Sequence, residues 1–146
     1  MRIPISYAIV ISVDSNMESN KRTVLIIEDE ADAAELFAEM MRVSGFRVVK
    51  TSSSAPAIAI MTDEKPDVVL LDIMMPEVSG LDILRQMRAD PALVNIPVVV
   101  VSAMSMPTDI RHGMEAGAST YLTKPVGFID LKEAVDRALG SQSTAA

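Results

Sequence analysis

Cysteine is absent from the 146 residues, which excludes disulfides, thiolate metal sites and thiol nucleophiles. The one histidine, His112, cannot build a histidine metal cluster, and its place in an expected helix points it to solvent. Basic residues are the minority, 13 Lys and Arg against 20 Asp and Glu, for a net charge of −7. That balance argues against direct binding to nucleic acid or to an anionic membrane. The apolar run over 7–13 is too short for the roughly 20 residues a spanning helix needs. It follows Arg2 and Pro4, loosely like a secretory leader, but has no clear small-residue cleavage site. Residues 1–20 are expected to form a poorly ordered extension, or to reflect start-codon choice with Met17 as the true start.

What remains is rich in core material. Apolar residues make up 49% of the chain, enough for one globular domain of this length. Short apolar runs alternate with amphipathic stretches from Thr23 onward. Strands are expected over 23–27, 46–50, 67–71, 96–101 and 119–122. Near-continuous Val, Ile and Leu imply burial on both faces, hence a parallel sheet covered by helices.

The first helix shows Ala33, Phe37 and Met41 at four-residue spacing, with Leu36, Met40 and Val43 beside them, a wide core-facing stripe that Gly45 ends. The second helix, near 55–62, turns Ile58 and Met61 inward. Ser79 caps a third over 80–89, with Asp82 three residues on. Pro107 opens a fourth, which ends near 116–117. The last runs from Phe128 to Leu139 with Phe128, Leu131, Val135 and Leu139 inward, and stops at Gly140 before a polar tail over 141–146. Five βα units with right-handed crossovers make a doubly wound α/β sheet. The common order 2-1-3-4-5 puts a ligand crevice beside strands 1 and 3.

The chemistry-bearing residues sit where those strands end. Glu28 and Asp29 follow the first, Asp72 the third, Ser102 the fourth, and Lys124-Pro125 the fifth. Three carboxylates in one small site repel one another unless a cation offsets them. Magnesium suits an all-oxygen donor set and keeps room for a phosphoryl oxygen. Lys124 offers a mobile positive charge and Ser102 a hydroxyl donor for phosphate oxygens. A carboxylate attacks phosphorus to give an aspartyl-phosphate, so the edge reads as a phosphoryl acceptor.

The motifs Ile27-Glu28-Asp29, Asp72 with Met75-Pro76 and Gly80, Ser102-Ala103, and Tyr121-Leu122-Thr123-Lys124-Pro125 occur in this order. The successive steps, Asp29 to Asp72, Asp72 to Ser102 and Ser102 to Lys124, are 43, 30 and 22 residues. In these features the chain resembles a stand-alone receiver domain of two-component response regulators, over 21–140. The resemblance implies a flavodoxin-like (βα)5 fold and a cytoplasmic phosphorylation switch. It also implies that Asp72 is the phosphoacceptor and that Mg2+ is held by Asp29, by Glu28, by Asp72 and by the Met74 carbonyl. Ser102 and Lys124 would contact the phosphoryl group, and Tyr121 would turn inward as Ser102 moves. The Lys124-Pro125 bond is expected to be cis. A histidine kinase or histidine phosphotransfer protein would supply the phosphoryl group. With no output domain expected after Gly140, an unknown protein target would read the switch, and phosphorylation-dependent homodimerisation is open. Catalysis would be confined to the protein's own phosphorylation and dephosphorylation.

Two features depart from the usual pattern. The acidic pair is Glu-Asp, one methylene longer at Glu28. Apolar Met74 and Met104 stand at the positions that flank the attacking water in the family, which implies slow self-dephosphorylation. A phosphohydrolase is disfavoured because Met74 replaces its second aspartate. A flavin or nucleotide binder is disfavoured because Glu28-Asp29-Glu30 is not a glycine-rich phosphate loop. A phosphorylation-independent pseudo-receiver, serving only protein contacts, is the remaining alternative.

Overall fold

The computed structural model describes residues 21–144. The expected extension over 1–20 and the last two tail residues lie outside the described residues. Five strands, β1 (Thr23–Ile27), β2 (Arg47–Thr51), β3 (Val68–Leu71), β4 (Val98–Ser102) and β5 (Thr120–Thr123), form one parallel sheet of order β2-β1-β3-β4-β5. Five helices alternate with them: α1 (Ala31–Val43), α2 (Ala57–Glu64), α3 (Gly80–Ala89), α4 (Pro107–Glu115) and α5 (Phe128–Thr144). This is the expected doubly wound (βα)5 topology, with boundaries moved by one or two residues.

The period-2 geometry of a strand sorts each run onto two faces. Val24, Ile26, Val68, Leu70, Val99 and Val101 meet α1 and α5 through Phe37, Met41, Leu131 and Val135. Leu25, Ile27, Val69, Leu71, Val98 and Val100 meet α2 and α3 through Met61, Ile83, Leu84 and Met87. Each fully buried side chain of this size contributes about 1.5–3 kcal/mol. On that scale α4 is the least anchored helix, because Gly113 is its only buried residue.

Three sequence expectations need correction. Leu36 and Val43 are exposed, at 53% and 74%. The buried stripe of α1 is Ala34, Phe37, Ala38 and Met41, with Ala33 and Met40 only packed at its margin. Phe128 is 37% exposed rather than inward. The last helix passes through Gly140 to Thr144. Glycine costs a helix interior about 1 kcal/mol relative to alanine, but it does not end a helix unless it adopts a left-handed conformation. Gly45 does adopt one, at φ +97°, and closes α1 as expected.

Ser79 caps α3 by accepting from the Leu81 amide at 3.1 Å, whereas Asp82 pairs with Arg85 instead of closing a capping box. At the opposite end of the sheet from Asp72, the Arg88 guanidinium donates to the carbonyls of Val94, Ile96 and Gly117 at 2.8–3.0 Å. It thereby ties α3 to the entries of β4 and β5.

Candidate functional site

Register brings the strand ends level. Ile27 pairs with Leu71, and the Asp72 amide continues that ladder to the Ile27 carbonyl at 3.0 Å. Ser102 pairs with Thr123, and the Lys124 amide donates to the Ser102 carbonyl at 2.9 Å. Each side chain one step past its ladder therefore faces the same edge.

Glu28, Asp29 and Asp72 each present a carboxylate oxygen, and these lie within 4.8 Å of one another. Glu28 and Asp72 are buried while Asp29 is exposed. Lys124 reaches between the buried pair, with Nζ 2.7 Å from Glu28 Oε1 and 3.3 Å from Asp72 Oδ2. The peptide bond from Lys124 to Pro125 is cis, as expected. Burial pushes the Glu28 carboxyl above its ordinary value, and the Asp72 charge adds to this against the lowering bond from Lys124. Burial alone would lower Lys124, but its bond to Glu28 and the two carboxylate charges hold its ammonium above the ordinary range.

The loop after Asp72 is tightly folded. Asp72 Oδ1 accepts from the Met74 amide at 3.0 Å, an Asx-type turn. The Gly80 amide returns to the Ile73 carbonyl at 3.0 Å. A Cβ on Gly80 would lie 2.5 Å from the Asp72 carbonyl oxygen, so only glycine fits there. Glu77 sits at φ 69°, a left-handed conformation that costs a non-glycine residue about 1–2 kcal/mol.

Ser102 and Tyr121 meet through one peptide. Ser102 Oγ is fully buried and accepts from the Met104 amide at 3.1 Å. The Tyr121 hydroxyl donates to the Met104 carbonyl at 2.6 Å. Burial raises the phenol above its ordinary value, offset in part by the Ser102 hydroxyl. The ring lies where a Cβ on Gly113 would stand, 2.7 Å from Tyr121 Cδ2. Only about 30 Å³ remains among Ile73, Leu81, Met104, Asp109, His112 and Tyr121. That is room for about one water. Met74 is 55% exposed.

All of the acidic residues and Lys124 expected at this edge thus converge. Sequence reasoning missed Ser54, a buried hydroxyl from the loop between β2 and α2 that bonds the loop after Asp72. The only signal was a serine run over 52–54, indistinguishable from ordinary loop composition.

An open parallel α/β sheet with a carboxylate cluster at the carboxyl end of β1 and β3, answered by a lysine after β5, defines a phosphoryl-handling domain rather than a nucleotide fold. The family model for the response regulator receiver domain matches residues 24–136, and the chain belongs to that family. The phosphate regulon transcriptional regulatory protein PhoB of Pseudomonas aeruginosa is 35% identical over 104 residues, covering 71% of this chain and 45% of PhoB. The chain thus spans about half the length of that relative. The polar-differentiation response regulator DivK of Brucella ovis is 32% identical over 119 residues, covering 82% of this chain and 97% of DivK. Among solved structures, a response regulator receiver domain protein from Clostridium thermocellum superposes with a TM-score of 0.78 at 28% identity, covering 86% of this chain and 99% of that one. The signal receiver domain of a histidine kinase from Syntrophus aciditrophicus gives 0.76 at 28% identity, covering 82% and 91%.

The domain is therefore a phosphorylation-based signalling module, served by histidine-to-aspartate transfer from a kinase or phosphotransfer partner. Its catalysis is confined to its own phosphorylation and dephosphorylation. Among the described residues no helix is long and apolar enough to cross a membrane.

Proposed function

We propose that Asp72 accepts the phosphoryl group, with Mg2+ held by Glu28, Asp29, Asp72 and the Met74 carbonyl. The observation that carries this reading is the convergence of three carboxylates within 4.8 Å of one another, with Lys124 3.3 Å from Asp72. An all-oxygen donor set with one exposed member fits a hard cation that retains waters. Bound there, the ion would offset charge on the transferring group and on the carboxylates.

The chain's own residues do the rest. An Asp72 oxygen forms the new bond to phosphorus as the bond to the donor histidine nitrogen breaks, and that nitrogen keeps the electron pair. Lys124 neutralises charge on the phosphoryl oxygens, and positioning with electrostatics supplies most of the acceleration. The acyl phosphate carries about −1.5 to −2 charges where the carboxylate carried one, and it brings strong acceptor oxygens. Ser102 then turns its hydroxyl toward a phosphoryl oxygen and gives up the Met104 amide, and Tyr121 follows through the Met104 carbonyl. The resulting shift in packing of α4, β5 and α5 is a change of population between two arrangements. A protein target, or a second copy of the chain, would read that face in the cytoplasm.

The test is incubation with acetyl phosphate, with and without magnesium, followed by intact mass and peptide mapping. One phosphoryl group, magnesium-dependent and located on the peptide containing Asp72, is the expected result. No adduct on the folded protein would favour the pseudo-receiver alternative.

The lifetime of the adduct is a separate expectation. Met74 and Met104 present thioethers, weak acceptors that do not orient water. Replacing Met74 by Asn and Met104 by Glu is expected to speed decay of the phosphoprotein by about tenfold, short of the roughly 10²–10⁴-fold of a fully positioned general base. Decay followed by intact mass at equal temperature checks it, and an unchanged rate would remove the methionines from the account.

A further inference from the structure

We infer that Ser54 is a positioning residue for the phosphorylation site, clamping the loop that carries Met74 and holding Glu77 in its left-handed conformation. The inference rests on the metal-site reading above.

Ser54 is 3% exposed and lies before α2, on a different βα unit from Asp72. Its hydroxyl makes two bonds across the gap. Oγ donates to the Pro76 carbonyl at 3.2 Å and accepts from the Val78 amide at 3.2 Å. These two groups flank Glu77, whose φ of 69° is unfavourable for a side chain with a Cβ. A left-handed non-glycine residue persists only when its surroundings over-determine it. Here one hydroxyl fixes the residue on each side, one as acceptor and one as donor.

The segment so held begins at Asp72. The Met74 amide is bonded to Asp72 Oδ1, and the Met75 and Gly80 amides both return to the Ile73 carbonyl at 3.0 Å. Little slack exists between Glu77 and the carboxylate. Without the Ser54 bonds, Glu77 is free to relax to negative φ, which would turn the preceding peptides and displace the Met74 carbonyl. Groups that orient a ligand set typically matter 10–100-fold for metal affinity. Ser54 would act in this way without touching the cation.

The experiment compares wild type, Ser54→Ala, Glu77→Gly and the double variant by magnesium titration, followed through amide chemical shifts. Ser119→Ala serves as the control, because Ser119 likewise accepts from a backbone amide, that of Val98 at 3.2 Å, but at the far end of the sheet. Ser54→Ala is expected to bind magnesium about tenfold more weakly, and Ser119→Ala to bind like wild type. Glu77→Gly should bind like wild type and should restore Ser54→Ala, since glycine adopts φ > 0 unaided. Ser54→Ala within twofold of wild type, or a weakening that Glu77→Gly leaves untouched, overturns the inference.

Amide hydrogen exchange at Met74 and Val78 needs no metal. Faster exchange in Ser54→Ala is expected there, and unchanged exchange overturns the clamp. Should wild type itself fail to bind magnesium, the metal-site reading falls, and exchange alone decides whether Ser54 holds the loop. Ser54→Cys keeps the side chain's size with a weaker donor and serves in the same comparisons if Ser54→Ala does not fold.

Discussion

Asp72→Asn is expected to take up no phosphoryl group and to lose its stabilisation by magnesium, while folding at least as well as the parent without metal. Asparagine keeps the shape and can still accept from the Met74 amide, the bond that holds the turn at 3.0 Å. What it removes is the nucleophilic oxygen and one of two buried negative charges that share a single lysine. Like charges in one desolvated site destabilise each other, so metal-free stability should rise by about 1 kcal/mol, as when a strained buried charge is replaced by a neutral group. For the parent, magnesium at about a hundredfold its dissociation constant should add about 2.7 kcal/mol. Urea denaturation with and without magnesium measures both quantities, and intact mass after acetyl phosphate measures uptake. An adduct on Asp72→Asn as abundant as on the parent would move the acceptor to another residue.

Lys124→Met is expected to be the most damaging single change among the charged residues of the site in the metal-free protein. It removes the cation 2.7 Å from Glu28 and 3.3 Å from Asp72, leaving two buried carboxylates unanswered. Removing one partner of a buried pair costs about 3–5 kcal/mol. With Lys124 itself 22% exposed and water able to enter, about 2 kcal/mol is expected here, the scale of a lost charged hydrogen bond. Magnesium should recover most of it by taking over the charge.

The pH dependence has a definite sign. Burial and the Asp72 charge already raise Glu28, and the Lys124 bond opposes them, so the variant's carboxyl rises further. An acid whose folded-state pKa exceeds its unfolded value binds its proton more tightly in the folded state. Its penalty is complete at neutral pH and is relieved as pH falls through the folded pKa toward the unfolded one. The gap between Lys124→Met and parent should therefore narrow from pH 7 to about pH 5 in metal-free denaturation. A gap that widens on acidification would refute the assignment. Phosphoryl uptake should fall about 10²–10³-fold, as for loss of one preorganised charge-stabilising donor.

How legible was all this in the sequence? The strands were plain because Val, Ile and Leu run continuously only where both faces are covered. The site edge was plain because strand ends carry it: Glu28, Asp72 and Lys124 are each fixed one step past a ladder, and Asp29 two. The α1 stripe was less so. Periodicity locates a face but not its width, and Leu36 and Val43 fall outside a stripe that Ala34 and Ala38 fill. Small residues there let the helix approach the sheet, and that closeness is a property of the partner, not of the helix. Gly140 misled for a related reason, since a glycine ends a helix only if its backbone turns over. Ser54 was invisible because its role depends on two atoms of a loop 22 and 24 residues away.

The arginine tether at the far end of the sheet makes α4 a lever. Arg88 fixes the Gly117 carbonyl just past the end of that helix, and a Cβ on Gly117 would press to 2.6 Å from the Arg88 side chain. The other end begins at exposed Met106 and Pro107, and between them only Gly113 is buried. A rod pinned at one tip, exposed at the other and resting on a contact with no side chain has its fulcrum built in. A displacement of a fraction of an ångström at Met104 is therefore expected to grow along the rod's exposed end while the pinned end stays still. Hydrogen exchange along 106–117 would trace that gradient, fastest at the start and slowest beside the arginine.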